Sequence, residues 1–215
     1  MSTRTTLVIV LVLLLASALA GILLWNRLPD PMASHWDIND QVNGTMPKFW
    51  GVFLMPFVSL ALCALFLLIP IIDPLKANIT KFRETFNLFI ALLMLFLTYV
   101  YGLLLAWNLG FTHFQMSKSL LPALGLLFIF IGFMLRNAKR NFFIGIRTPW
   151  TLSSDKVWDE THRVGSWLFI AMGVITVFTG FLSQTGIYFM FASILVAVIV
   201  PVVYSYILYR EETKS

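Results

Sequence analysis

Charge is scarce in this sequence. Only 12% of its 215 residues are Asp, Glu, Lys or Arg, while 59% are hydrophobic. A soluble domain cannot cover that much apolar surface with so little polar material, so the composition excludes an ordinary globular protein and implies an integral membrane protein. Cysteine is nearly absent: Cys63 stands alone inside an apolar run, which rules out an internal disulfide and a redox pair. Ionisable residues are missing from the interiors of the long apolar runs. A carried proton or ion needs a charged partner at mid-membrane, so a proton-coupled carrier is disfavoured. There is no internal repeat, no Ser/His/Asp set, no metal-ligand cluster and no phosphate-binding glycine loop, and no cofactor is expected.

What is present is a set of six apolar stretches, each near the roughly 20 residues needed to cross the hydrocarbon core as a helix. They run from Leu7 to Trp25, Phe49 to Ile72, Phe86 to Trp107, Ser119 to Leu135, Val164 to Leu182 and Ile187 to Tyr209. The first has features of a secretion signal: Arg4, an apolar core, and Ala18-Leu19-Ala20 before Gly21. Its apolar character continues through Trp25, however, which favours a retained span. Pro56, Pro122 and Pro201 inside spans predict local kinks, and Gly173 and Gly180 on one face of the fifth span predict close helix approach.

With the amino terminus inside, twelve basic residues fall on inner segments and three (Arg27, Lys48, Lys118) outside. The expected fold is therefore an all-α integral membrane protein, a bundle of six transmembrane helices with both termini cytoplasmic. The net charge of +5 sits beside apolar spans, where it sets topology and meets anionic membrane lipid; no direct nucleic-acid partner is expected. Two units are anticipated. Residues 1–72 form a two-span unit with an extracytoplasmic loop at 26–48, and residues 73–215 form a four-span unit with a cytoplasmic loop at 136–163.

The outer loop opens with Pro29 and Pro31 and carries Asn43-Gly44, a turn signal that predicts a hairpin-like cap reversing there. His35 near Asp30, Asp37 and Asp40 suggests a metal, but the calcium-loop pattern fails at Val42 and Lys48, and one histidine is weak for zinc. The competing readings are hydrogen-bonded structural polar residues, or an acidic and aromatic patch (Asp30, His35, Trp36, Asp37, Asp40) that meets an extracellular peptide.

The cytoplasmic loop is denser. Phe142-Phe143-Ile144-Gly145-Ile146 is too apolar for a free linker and too short to span, so it should lie at the interface or dip into the bundle. Gly145 permits an unusual backbone angle, Thr148-Pro149 forces an extended turn, and Ser153 or Ser154 can cap a helix with Asp155 in its first turn. On that helix Trp158 and His162 are one turn apart, as are Asp159 and Arg163, which predicts a Trp/His pair and an ion pair. Headgroup anchoring would explain these residue types but hardly their order.

The run Asn141-Phe142-Phe143-Ile144-Gly145-Ile146-Arg147-Thr148-Pro149-Trp150-Thr151-Leu152-Ser153, with Trp158 and Thr161-His162-Arg163, resembles the signature of the SdpI family, immunity proteins against a sporulation-delaying peptide toxin. The outer loop, with Leu28-Pro29, Pro31, His35-Trp36, Gly44 and Lys48, resembles the small uncharacterised amino-terminal domain that often precedes that signature. The resemblance implies a prokaryotic, multi-pass plasma-membrane protein that protects its host from a secreted, membrane-active peptide. It also implies, as in the best-understood members, a sensor that draws a transcriptional repressor to the membrane when toxin is bound. On that reading Asn141, Gly145, Arg147, Thr148, Pro149, Trp150, Trp158, His162 and Arg163 form a partner- or lipid-binding loop, and the protein is not an enzyme. The alternative is a small transporter or lipid-interacting membrane enzyme that uses His162, Arg163 and Arg147 at the cytoplasmic interface.

Overall fold

A computed structural model describes residues 1–182 and 184–214. Six helices are long and apolar enough to span a bilayer: α1 (Thr3–Leu24), α2 (Lys48–Ile72), α4 (Arg83–Asn108), α5 (Met116–Asn137), α7 (Asp155–Thr179) and α8 (Gln184–Glu212). The shortest have 22 residues, about 33 Å at 1.5 Å per residue, enough to cross the hydrocarbon core. Short elements fill the connections: strands β1 (Met32–Trp36) and β2 (Val42–Met46), and helices α3 (Lys76–Thr80) and α6 (Pro149–Ser153). Several hydroxyls of the spans turn back onto their own helices. Ser17 donates to the Leu13 carbonyl, Thr176 to Met172 and Thr179 to Ile175, so their hydroxyls enter the apolar layer already bonded.

The expected spans lie within observed helices except that the first runs one residue past α1 and the fifth three past α7, and Pro56, Pro122 and Pro201 sit inside α2, α5 and α8, joined by Pro70 near the end of α2. α7 begins nine residues before the expected fifth span, so the lead-in carrying Trp158 and His162 continues directly into it.

The spans pack as two groups, α1 with α2 and α4, and α5 with α7 and α8, which meet along α4 and α5. The closest pair is α5 and α7. Gly125 faces the backbone of Gly173 and Val177, and Gly132 faces the Ser166 carbonyl, so any Cβ at these sites would meet backbone atoms. The expected small-residue contact is thus between α5 and α7, with Gly180 completing it against Pro122.

Polar ties join the two groups at both ends. At the hairpin end, Asn108 of α4 clamps β1: its Oδ1 accepts from the Ala33 N–H (2.8 Å) and its Nδ2 donates to the Ala33 carbonyl (3.0 Å). The hairpin tip reaches the other group through Asp40, whose carboxylate accepts from the Ser117 backbone N–H (2.8 Å) and hydroxyl (2.6 Å) at the start of α5. At the opposite end, near the chain termini, buried Asp73 accepts from the Phe142 N–H at 2.9 Å, and Asn78 donates to the Arg140 carbonyl at 2.8 Å.

The hairpin is present, but it does not turn at Asn43-Gly44. Those residues lie in β2, where Gly44 pairs with His35, and the chain reverses over residues 37–41. The Asp37 carboxylate accepts from the N–H groups of Asn39 (2.8 Å) and Gln41 (3.0 Å), and Asp40 adopts φ 59°. An Asp side chain can replace the turn's own backbone bonds in this way, and here that outcompetes the Asn-Gly dipeptide. Gly44 is required for another reason: a Cβ there would come within 2.9 Å of the His35 Cβ.

Candidate functional site

Between α5 and α7 the chain has only the single turn of α6, and side chains bond much of its remaining backbone. Asn141, with no exposed surface, organises the first half. Its Oδ1 accepts from the N–H groups of Phe143 (2.9 Å) and Ile144 (2.6 Å), and its Nδ2 donates to the carbonyls of Lys139 and Ile144, both at 2.8 Å. One amide side chain thereby stands in for the partners that a helix or sheet would supply. Ile144 turns inward and joins the apolar core with Trp158, Met134 and Ala138, as the apolar run from Phe142 to Ile146 suggests.

The second half rests on α7. Trp158 and His162, both buried, stack with ring centroids 4.0 Å apart and 18° between planes, as their spacing predicts. Trp158 Nε1 donates to the Ala138 carbonyl at 2.9 Å. His162 Nε2 accepts from the Ile146 N–H at 3.0 Å, while Nδ1 lies 2.8 Å from the Trp158 carbonyl. A carbonyl can only accept, so Nδ1 carries the proton and the ring is the neutral Nδ1–H tautomer. Gly145, at φ +115°, passes directly over this ring, and a Cβ there would collide with His162 Nε2. The backbone angle and the close approach both demand glycine.

Thr148 and Pro149 begin α6 as a capped turn. Thr148 Oγ1 accepts from the Thr151 N–H (3.1 Å), Thr151 Oγ1 accepts from the Thr148 N–H (2.9 Å), and Pro149 occupies the first helical position, where no N–H is needed. Thr151 also donates to the Ile146 carbonyl, and Thr148 meets Ser205 of α8 at 3.1 Å, tying the loop to the last span. Ser154, rather than Ser153, caps α7 by accepting from the Val157 N–H.

The ion pairs differ from the expected one. Asp159 pairs with Lys139 at 3.2 Å, and Arg163 pairs with Glu160 instead, because Lys139 reaches Asp159 from the loop and Glu160 lies on the arginine's own helix face. Arg140 bridges Asp155 (2.7 Å) and the Leu152 carbonyl (2.8 Å). These are surface contacts of about 0–1 kcal/mol each. Outward-facing groups remain: Phe142 is 45% exposed, Arg147 and Pro149 are exposed, and Trp150 packs half-buried on Tyr206 of α8. Arg147 spends one donor on the Phe142 carbonyl, 2.7 Å away, which fixes its guanidinium across the loop.

A family model described as the SdpI/YfhL protein family matches residues 137–205, and a domain of unknown function, DUF1648, matches residues 12–60. The immunity protein SdpI of Bacillus subtilis (strain 168) is 28% identical over 211 residues, covering 97% of this chain and 98% of that protein. No solved structure matches significantly. The chain is thus similar to the SdpI family in its last third and to an immunity protein of that name along nearly its whole length. It is a multi-pass plasma-membrane protein. The SdpI/YfhL segment takes in the whole loop, α7 and α8 as far as Ser205, so its bounds enclose both the Asn141 knot and the Thr148–Ser205 tie.

The DUF1648 segment holds the second half of α1, the hairpin and the first half of α2. Its candidate residues do not converge on one centre. Asp30 Oδ1 accepts from the Lys48 N–H (3.1 Å), Asp37 serves its own turn, Asp40 holds Ser117, and His35 Nδ1 meets Asn43 Oδ1. Trp36 packs edge-on against Trp107 at 5.5 Å. The bonds to Asn39 and Gln41 hold the Asp37 carboxyl below the usual carboxylate range. Sequence reasoning missed Asp73 and Asn78, which grip the signature loop from the other helix group. The available signal was Asp73-Pro74 directly after an apolar run, a polar residue placed where a chain leaves the membrane.

Proposed function

We propose that this chain is a plasma-membrane immunity and signalling protein that neutralises a secreted, membrane-active peptide and docks a cytoplasmic transcriptional repressor through the loop at residues 136–163. The observation that carries this reading is similarity along 97% of the chain to a protein named for immunity, joined to a signature loop held in one fixed shape. A preformed loop binds a partner without the cost of ordering. Phe142, Arg147, Pro149 and Trp150 offer an apolar and cationic face of the kind that anchors protein contacts. The basic residues of this loop support a cytoplasmic position for it and both termini, with the hairpin outside to meet the peptide. Binding on the two sides must be reciprocally coupled if one reports the other. The ties at both ends of the bundle, Asp40 to Ser117 and Asp73 to Phe142, offer a physical link.

The competing reading, a membrane enzyme or transporter with His162 as its acid or base, is weakened by geometry. The ring is buried, and both of its nitrogens are spent inside the loop. The test is expression in a host sensitive to a membrane-active peptide toxin. The chain should confer resistance, and Arg147→Ala or Trp150→Ala should abolish signalling while membrane insertion survives. Full signalling in both variants would remove the loop's role, and a host left fully sensitive would remove the immunity reading.

A further inference from the structure

The two helix groups pack along α4 and α5, and beside that seam they leave an apolar groove of about 580 Å³. Its walls include Leu92, Phe96 and Tyr99 of α4 and Ala123, Leu126 and Phe133 of α5. The Tyr99 hydroxyl donates to the Ser119 carbonyl at 3.0 Å, so it presents no free polar group to the groove. From Ala123 to Phe133 the groove follows about 15 Å of helix rise. That is the depth of one leaflet, half of a hydrocarbon core of about 30 Å.

Arg136 stands one turn beyond Phe133 on the same side of α5, at the end of the bundle near the termini. It is exposed, and among the described residues no carboxylate pairs with it, in contrast to Lys139, Arg140 and Arg163 nearby. Its guanidinium lies 6.0 Å from the ring centre of Trp167 of α7, which is 60% exposed.

We propose that the α4–α5 groove with Arg136 is a binding site for one anionic phospholipid, its phosphate on Arg136 and an acyl chain lying along the groove between Phe133 and Ala123. The occupant must be apolar over a leaflet's depth and carry an anion at one end, and a phospholipid of the leaflet nearer the termini has both properties. Arginine's planar fork suits a phosphate, and the groove supplies the shape that lipid in bulk does not find on a smooth helix face. By lying in the groove beside the α4–α5 contact, the lipid extends the packing between the two groups.

The experiment is native mass spectrometry of the full chain in mild detergent, supplied with equal amounts of phosphatidylglycerol and phosphatidylcholine of identical acyl chains. The chain should retain one lipid and favour phosphatidylglycerol by about fivefold, the worth of a single basic residue at a membrane surface. Arg136→Gln should bring the ratio near unity while lipid is still retained, and Arg136→Lys should keep the preference. Ala123→Phe, which fills the groove, should cut retention of both lipids; if that variant fails to fold, Leu126→Trp at the groove's exposed rim takes its place. The proposal is overturned if the native chain retains both lipids equally, if Arg136→Gln leaves the ratio unchanged, or if filling the groove leaves retention intact. A dimer that dissociates on filling the groove would also overturn it, by assigning the groove to a second copy.

Discussion

The two connecting segments that stand out in this chain, the hairpin of β1 and β2 and the loop between α5 and α7, use similar residues to opposite ends. In the hairpin, polar side chains lie near the surface and each serves a neighbour: Asp37 its own turn, Asp30 the start of α2, Asp40 the start of α5. In the loop, polar side chains are buried and shape the backbone from within, Asn141 with four bonds and His162 with two. An exposed bond can be replaced by water, whereas a buried one leaves an unsatisfied group that costs about 1–3 kcal/mol. Most of the SdpI-like run therefore encodes the loop's shape, and only a few of its side chains point outward.

The contrast can be broken most strongly at Gly145. Gly145→Ala places a Cβ against His162 Nε2 at a positive φ, and should destabilise the protein by about 1–3 kcal/mol from backbone strain and a similar amount from overpacking. Gly44→Ala in the hairpin should cost less, since Gly44 meets only the exposed His35 and has no positive φ to strain; unfolding in graded denaturing detergent would compare the two. Next in size is Asn141→Ala, expected to cost about 1–3 kcal/mol, with faster hydrogen exchange at Phe143 and Ile144. Equal stability of Asn141→Ala and the native chain would mean that water replaces the amide, and the contrast would fail.

Arg147→Ala should change stability by no more than about 0.5 kcal/mol, because the side chain is exposed and makes one backbone bond, yet it should remove signalling. A loss of stability comparable to that of Asn141→Ala would mean that Arg147 belongs to the scaffold. The smallest effect is expected in the hairpin on acidification. The Asp37 carboxyl is held below its ordinary value of 3.8 by the N–H bonds of its turn. The ionised form therefore stabilises the turn above that value, and the contribution disappears as pH falls through the lower, folded value. Exchange at the Asn39 and Gln41 amides, corrected for intrinsic rates, should stay constant from neutral pH down to the ordinary carboxylate range and rise only below it.

The spans were legible in the sequence because a bilayer demands long apolar runs and the chain supplies six of them. The stacking of Trp158 on His162 was legible too, since helical spacing alone brings the rings together. The turn at 37–41 was not, because Asn43-Gly44 is the stronger local signal and only the pairing of Gly44 with His35 shows that those residues belong to a strand. The exchange of ion-pair partners between Asp159 and Glu160 depends on where Lys139 returns, which is tertiary information. Asp73 and Asn78 could not be tied to the loop for the same reason: their partners are backbone groups more than sixty residues away.

The central claim is that the loop is preformed, and hydrogen exchange at Ile144 and Ile146, in the full chain reconstituted in lipid nanodiscs without any partner, tests it most directly. Both amides should be strongly protected, and His162→Ala should release Ile146 while Ile144 stays protected on Asn141. Exchange of both amides at open-chain rates in the native protein would contradict the account.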